Sequence, residues 1–163
     1  MKIKSLIVLV ISLGVLAAIL IIGYKIAPGV DSHSEVYEFN VGSERVINTI
    51  NDFKRENTVY NIPKQIGLPD SLVKDNNTPD RMHGYIYYPK QQQIIHFWIR
   101  GGRKKTELHL VAVNLGLKLG NWKTINEDLT ERENDNVKRQ FEATVLRSLG
   151  LGYTNKGNNM ALW

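Results

Sequence analysis

Two histidines, a glutamate and three aromatic rings recur at alternate positions in the middle of the chain. Tyr85 and Tyr87 lie in GYIYY, His96, Trp98 and Arg100 in IIHFWIR, and Glu107 and His109 in TELHLVAVNL. Imidazoles and carboxylates move protons and hold metal ions near neutral pH. Tyr and Trp supply flat rings with one polar edge, which suit sugars, peptides or a protein partner. A binding surface is therefore one expectation. A metal-assisted hydrolase built from His96, His109 and Glu107 is an alternative, and a small-ligand sensor or carrier with an apolar cavity is another. The bland counterpart is the outer side of an antiparallel sheet, where aromatic residues are common anyway.

Whether these residues meet depends on the turns between their segments. PKQQQ and GGRKK are short, turn-forming connections, so the three segments read as an antiparallel meander. A turn at Gly102-Arg103 sets His96 opposite His109 and Trp98 opposite Glu107, whereas a turn at Gly101-Gly102 sets His96 opposite Glu107. Both registers have the same parity, and side chains two apart share a face. His96, Trp98, Glu107 and His109 therefore lie together in either case. A turn at Lys90-Gln91 adds Tyr85 and Tyr87. The other face collects Ile86, Ile95, Phe97, Ile99, Leu108, Leu110 and Ala112 and is the one for helices to cover. By the same alternation Val111, Val113 and Leu115 fall on the histidine face, which requires part of that face to be covered.

Other chemistry is thin. The chain has no cysteine, which excludes disulfides, thiolate metal sites and a cysteine nucleophile. No G-x-S-x-G elbow, phosphate-cradling glycine loop, H-E-x-x-H or S-x-x-K is present. His33 falls in a linker and His83 in a loop. The acidic cluster Glu127, Asp128, Glu131 and Glu133 sits at a helix start, where exposed N–H groups favour carboxylates. No residue is assigned a catalytic role and no cofactor is expected.

The elements that must carry the meander follow from pattern. VYEFNV, residues 36–41, alternates as a half-buried strand. Ser43 can cap a helix from Glu44 to about Glu56 with Val46, Ile47, Ile50 and Phe53 on one side. Residues 57–83 read as a long irregular stretch partly packed on the core. Thr130-x-x-Glu133 is a capping box opening a helix that Gly150 closes. The amide-rich end is expected to fray.

At the other end, Ser5–Tyr24 is uncharged and, as a helix rising about 1.5 Å per residue, spans about 30 Å of bilayer. Lys2 and Lys4 before it outnumber Lys25 after it, so the N-terminus stays cytoplasmic and the domain lies on the extracytoplasmic side. Ala27-Pro28-Gly29 offers small residues to a signal peptidase. The apolar run, however, exceeds the roughly 7–15 residues of a cleaved signal. These three lysines also carry more than half of the net charge of +5, which weakens a nucleic-acid reading.

The expected architecture is α+β. It comprises a single transmembrane signal-anchor (residues 1–26), a linker (27–34), one β-α-β-β-β-α domain with a mostly antiparallel sheet (35–153) and a tail (154–163). The expected function is that of a non-enzymatic, membrane-anchored domain with a protein or envelope partner and no nucleic acid.

Overall fold

The computed structural model describes residues 33–158. The apolar run Ser5–Tyr24, most of the linker and residues 159–163 lie outside them. Among the described residues no helix is long and apolar enough to cross a membrane. The order is β1 (Glu35–Phe39), α1 (Ser43–Glu56), β2 (Val73–Lys74), β3 (Arg81–Tyr88), β4 (Gln93–Gly101), β5 (Thr106–Leu115), β6 (Trp122–Thr124), α2 (Glu131–Phe141) and β7 (Tyr153–Asn158). The fold is α+β, and every strand pair is antiparallel.

The sheet runs β2-β3-β4-β5-β1-β7, and β6 pairs with β5 beyond the point where β1 stops. Strands β2, β6 and β7 are additions to the expected order. Tyr37, Phe39, Ile86, Ile95, Phe97 and Leu108 point to one side, where they form a single core with Val46, Ile50 and Phe53 of α1 and Val137 and Phe141 of α2. Both helices thus cover one face, as the alternation of the meander requires.

Local causes fix each helix. Ser43 does not cap α1; Gly42 is the N-cap, with no side-chain hydrogen bond. The Ser43 N–H instead donates to the Gly102 carbonyl at 2.9 Å, so the β4–β5 loop satisfies one of the four free donors of the first turn. A Cβ on Gly42 would stand 2.7 Å from the Arg103 carbonyl oxygen, which makes glycine necessary for this close approach. At α2 the capping box forms as expected: the Thr130 N–H donates to Glu133 Oε2 at 3.0 Å, and the Glu133 N–H donates to Thr130 Oγ1. The helix then widens into a π turn over Glu142–Leu146, which the 3.6-residue pattern does not reveal.

The expected fraying of the tail is corrected over its first part. Tyr153–Asn158 pairs with β1, and the Tyr153 ring packs edge-on against Tyr37 at 5.7 Å. The remaining side chains of β7 are polar and mostly exposed, so backbone pairing makes the strand without an alternating signal.

The long stretch after α1 is organised around one buried lysine. Lys54 Nζ donates to the Tyr85 carbonyl at 2.8 Å and pairs with Asp70 Oδ1 at 2.7 Å, while Asp70 also accepts from the Ile62 N–H. Burial lowers the lysine's pKa, and the Asp70 carboxylate opposes that effect. Tyr60 stacks on Phe53, and Ile62 is buried, but Val59 and Val73 are exposed rather than packed inward. Replacing Lys54 with Met removes the tie and leaves the Tyr85 carbonyl without this donor. The expected loss is about 1–2 kcal/mol, with faster hydrogen exchange at Ile62 than in wild type. Unchanged exchange there would show that apolar contacts alone hold the segment.

Candidate functional site

All seven residues singled out from the sequence lie on the three meander strands, and the register differs from both expected ones. The pair Gly101–Thr106 closes the β4–β5 hairpin over a longer loop, so Trp98 faces His109 and Arg100 faces Glu107. Parity is kept, and so is the shared face. On the other side Tyr85 faces His96 and Tyr87 faces Ile94, the register that a Lys90-Gln91 turn requires.

A bulge then changes the rest of β5. His96 pairs with Ala112 while Phe97 pairs with Leu110, so Val111 is an extra residue. Beyond it every side chain changes face. Ala112, expected on the helix side, joins Trp98 and Val111, with Trp122 packed against them. Val113 and Leu115, expected on the histidine face, turn to the helix-side core. The bulge therefore removes most of the apolar surface that the unbroken alternation placed beside the histidines.

The face holds two linked clusters. In the first, Arg81 lies 4.1 Å over the Trp98 ring and His109 stacks on the same ring at 3.5 Å. His109 also meets Ser34 Oγ at 2.9 Å and Glu107 at 3.4 Å, and Glu107 accepts from Arg100 at 3.1 Å. Trp98 and His109 are buried.

The second cluster includes a residue that the sequence placed in a loop. His83 lies inside β3, whose first residue, Arg81, pairs with Arg100 of β4, while the short β2 pairs with Met82 and His83 on the other edge. Its Nε2 meets Asp75 Oδ2 at 2.9 Å and its Nδ1 meets His96 Nε2 at 2.8 Å. Asp75 Oδ1 accepts from the N–H groups of Asn77 and Thr78, so the carboxylate is locked in the turn that leads into β3. The signal for this pair is the Asp75-Asn76-Asn77 turn itself, which returns the chain so that His83 comes alongside. Tyr85 stacks on His96 at 5.0 Å, and Trp122 meets the His96 ring edge-on at 6.1 Å.

The electrostatics follow from these contacts. Hydrogen bonding from His83, then from the two turn N–H groups, lowers the Asp75 pKa to about 2. Burial, reinforced by the His83 and Arg81 charges, lowers that of His96 to about 3. His96 is thus neutral across the ordinary pH range, and Asp75 is ionised.

Comparison with known proteins returned no matching family model, no matching curated protein and no matching solved structure.

His96 and His109 belong to different clusters and bond to different partners. Among the described residues no group of three His, Asp or Glu side chains is placed to hold a metal ion. A half-open cavity of about 450 Å³ lies between the β3–β4 turn, the end of β5 and α2. Its lining mixes Gln91, Gln93, Glu133 and Gln140 with Leu115 and Leu129. This is a polar-rimmed groove at the end of the sheet, unlike the apolar chamber that a carrier of small apolar ligands would need.

Proposed function

We propose that the protein is anchored through residues 5–24 and that its α+β domain, on the extracytoplasmic side, binds a protein or envelope partner without catalysing a reaction. The contact surface is the half-buried patch of Tyr85, His96 and Trp122, flanked by Tyr87 and by the Trp98 cluster. The observation that carries this reading is the internal saturation of the face. Asp75 and His96 both bond to His83, Arg100 and His109 both bond to Glu107, and what these chains leave toward a partner is ring surfaces and the single His96 Nδ1. Rings of this kind give contact area at low entropic cost. A catalytic use of His96 as base is disfavoured by its low pKa, since a general base works best near the operating pH.

The absence of cysteine makes the orientation directly testable, because any introduced thiol is unique. In intact cells Lys104→Cys, on the exposed β4–β5 loop, should react with a membrane-impermeant maleimide; reaction only after lysis would reverse the orientation. A photo-crosslinker at Tyr87 should capture a partner that one at Glu131, on exposed α2, does not. Trp122→Ala should reduce that capture about tenfold, the effect of losing one well-packed aromatic anchor. Capture unaffected by Trp122→Ala would place the contact elsewhere.

A further inference from the structure

The Asp75–His83–His96 line has a property that neither imidazole has alone. An uncharged His83 that donates Nε2–H to Asp75 has only a lone pair at Nδ1. His96 must then donate its own Nε2–H across the 2.8 Å bond, and a neutral His96 has its remaining lone pair at Nδ1. That atom makes no hydrogen bond among the described residues.

We propose that this line is a polarity switch: a second proton on His83 converts His96 Nδ1 from a hydrogen-bond acceptor into a donor. The proton balance needs no ring rotation. A proton from solvent adds to His96 Nδ1, the proton on His96 Nε2 crosses to His83 Nδ1, and both rings keep their places. The product is a His83 imidazolium beside the Asp75 carboxylate and a neutral His96 of the opposite tautomer.

The surroundings decide which ring keeps the charge. His83 has the Asp75 carboxylate at 2.9 Å. Among the described residues His96 has no carboxylate beside it. It faces His83, Tyr85 and the Arg81 charge from β3, Ala112 from β5 and Trp122 from β6, with Ile94 and Trp98 as its own-strand neighbours on that face. Burial raises the Tyr85 pKa, so its phenol stays protonated and adds no anion. Charge therefore settles on His83.

This inference rests on the Tyr85–His96–Trp122 patch being the contact surface only for its consequence. In the uncharged state the patch accepts from a hydroxyl or N–H of the partner; in the charged state it donates to a carbonyl or carboxylate oxygen. The switch itself is readable without any partner.

The test is a histidine ¹⁵N NMR titration of the full chain in nanodiscs from about pH 8 to about pH 5. The expected result is an exchange of the two His96 nitrogen signals, protonated Nε2 becoming unprotonated and Nδ1 the reverse, in step with His83 acquiring its second proton. Asp75→Asn should move that exchange to lower pH, because the carboxylate 2.9 Å from His83 is what favours the charge there. His83→Phe should leave the His96 tautomer constant over the whole range. A His96 that keeps Nε2–H throughout, or that becomes an imidazolium together with His83, overturns the switch. If the exchange occurs but partner capture at Tyr87 is the same on both sides of it, the switch stands and the assignment of the contact surface fails.

Discussion

Gly84→Ala is expected to cost about 2–3 kcal/mol, the upper part of the range for overpacking a filled core. A methyl group at this position would stand 2.3 Å from Cζ and 2.8 Å from Cε2 of Phe97, and 2.6 Å from Cδ2 of Leu72. Gly84 pairs with Phe97 across β3 and β4 on the helix side of the sheet, and the ring leans over the gap that the missing side chain leaves. The ring has nowhere to go, because Phe97 is fully buried and lies 5.9 Å from Phe141 of α2. Leu72, half-buried in the segment that Lys54 ties down, is the softer of the two neighbours. Relief should therefore come from shortening the ring: in the Gly84→Ala/Phe97→Leu double variant the two losses should be less than additive by at least about 1 kcal/mol. Urea unfolding of the four proteins measures this. A single-variant loss below about 0.5 kcal/mol would mean that the ring is not confined as described.

The strands on either side of Gly84 mark how far sequence pattern reaches. Alternation places Ile86, Ile95, Phe97 and Leu108 on one face and Tyr85, His96, Trp98 and His109 on the other, and that division holds although the β4–β5 register differs from both expected ones. Faces depend only on parity, whereas register depends on loop length, and GGRKK does not specify which of its residues close the turn. The bulge at Val111 breaks parity itself. Nothing in VAVNL marks it, since its residues suit a strand on either face, and only the burial demands of Val113 and Leu115 require it. Strand β7 is illegible for the opposite reason: its polar residues lie on an edge and carry no period.

Most of the candidate site can be read because it sits on strong strands. His83 cannot, because the strand that holds it begins in RMHG, directly after a Pro-Asp turn, and has only a two-residue partner on its outer edge. Its pairing with His96 is a cross-strand diagonal, which no spacing within one segment reveals.

Acid should destabilise the domain through His96, and the sign follows from the direction in which its pKa is moved. Its folded-state pKa, about 3, lies below the unfolded value of 6.5, so between those values the unfolded chain binds more protons. Stability is then full above about pH 6.5 and is lost progressively as the pH falls toward about 3. Asp75 acts in the same direction lower down: with its pKa lowered from 3.8 to about 2, its contribution is present above 3.8 and disappears as the carboxyl protonates. A tenfold difference in proton affinity between the folded and unfolded states corresponds to about 1.4 kcal/mol, and the His96 imidazole, at the surface of the sheet, realises only part of that. For His96 about 2–3 kcal/mol should therefore be lost between about pH 6.5 and about pH 4. His96→Gln separates this cause from general acid denaturation. The glutamine amide can still donate to His83 Nδ1 and fill the space beside Tyr85, but it does not titrate. Its unfolding free energy should fall less steeply with acid than that of the wild type over this window, even if it is lower at neutral pH. Parallel curves for the two proteins would show that the protonation opposing folding occurs on another group, and His96 would then be no more than a ring in a stack.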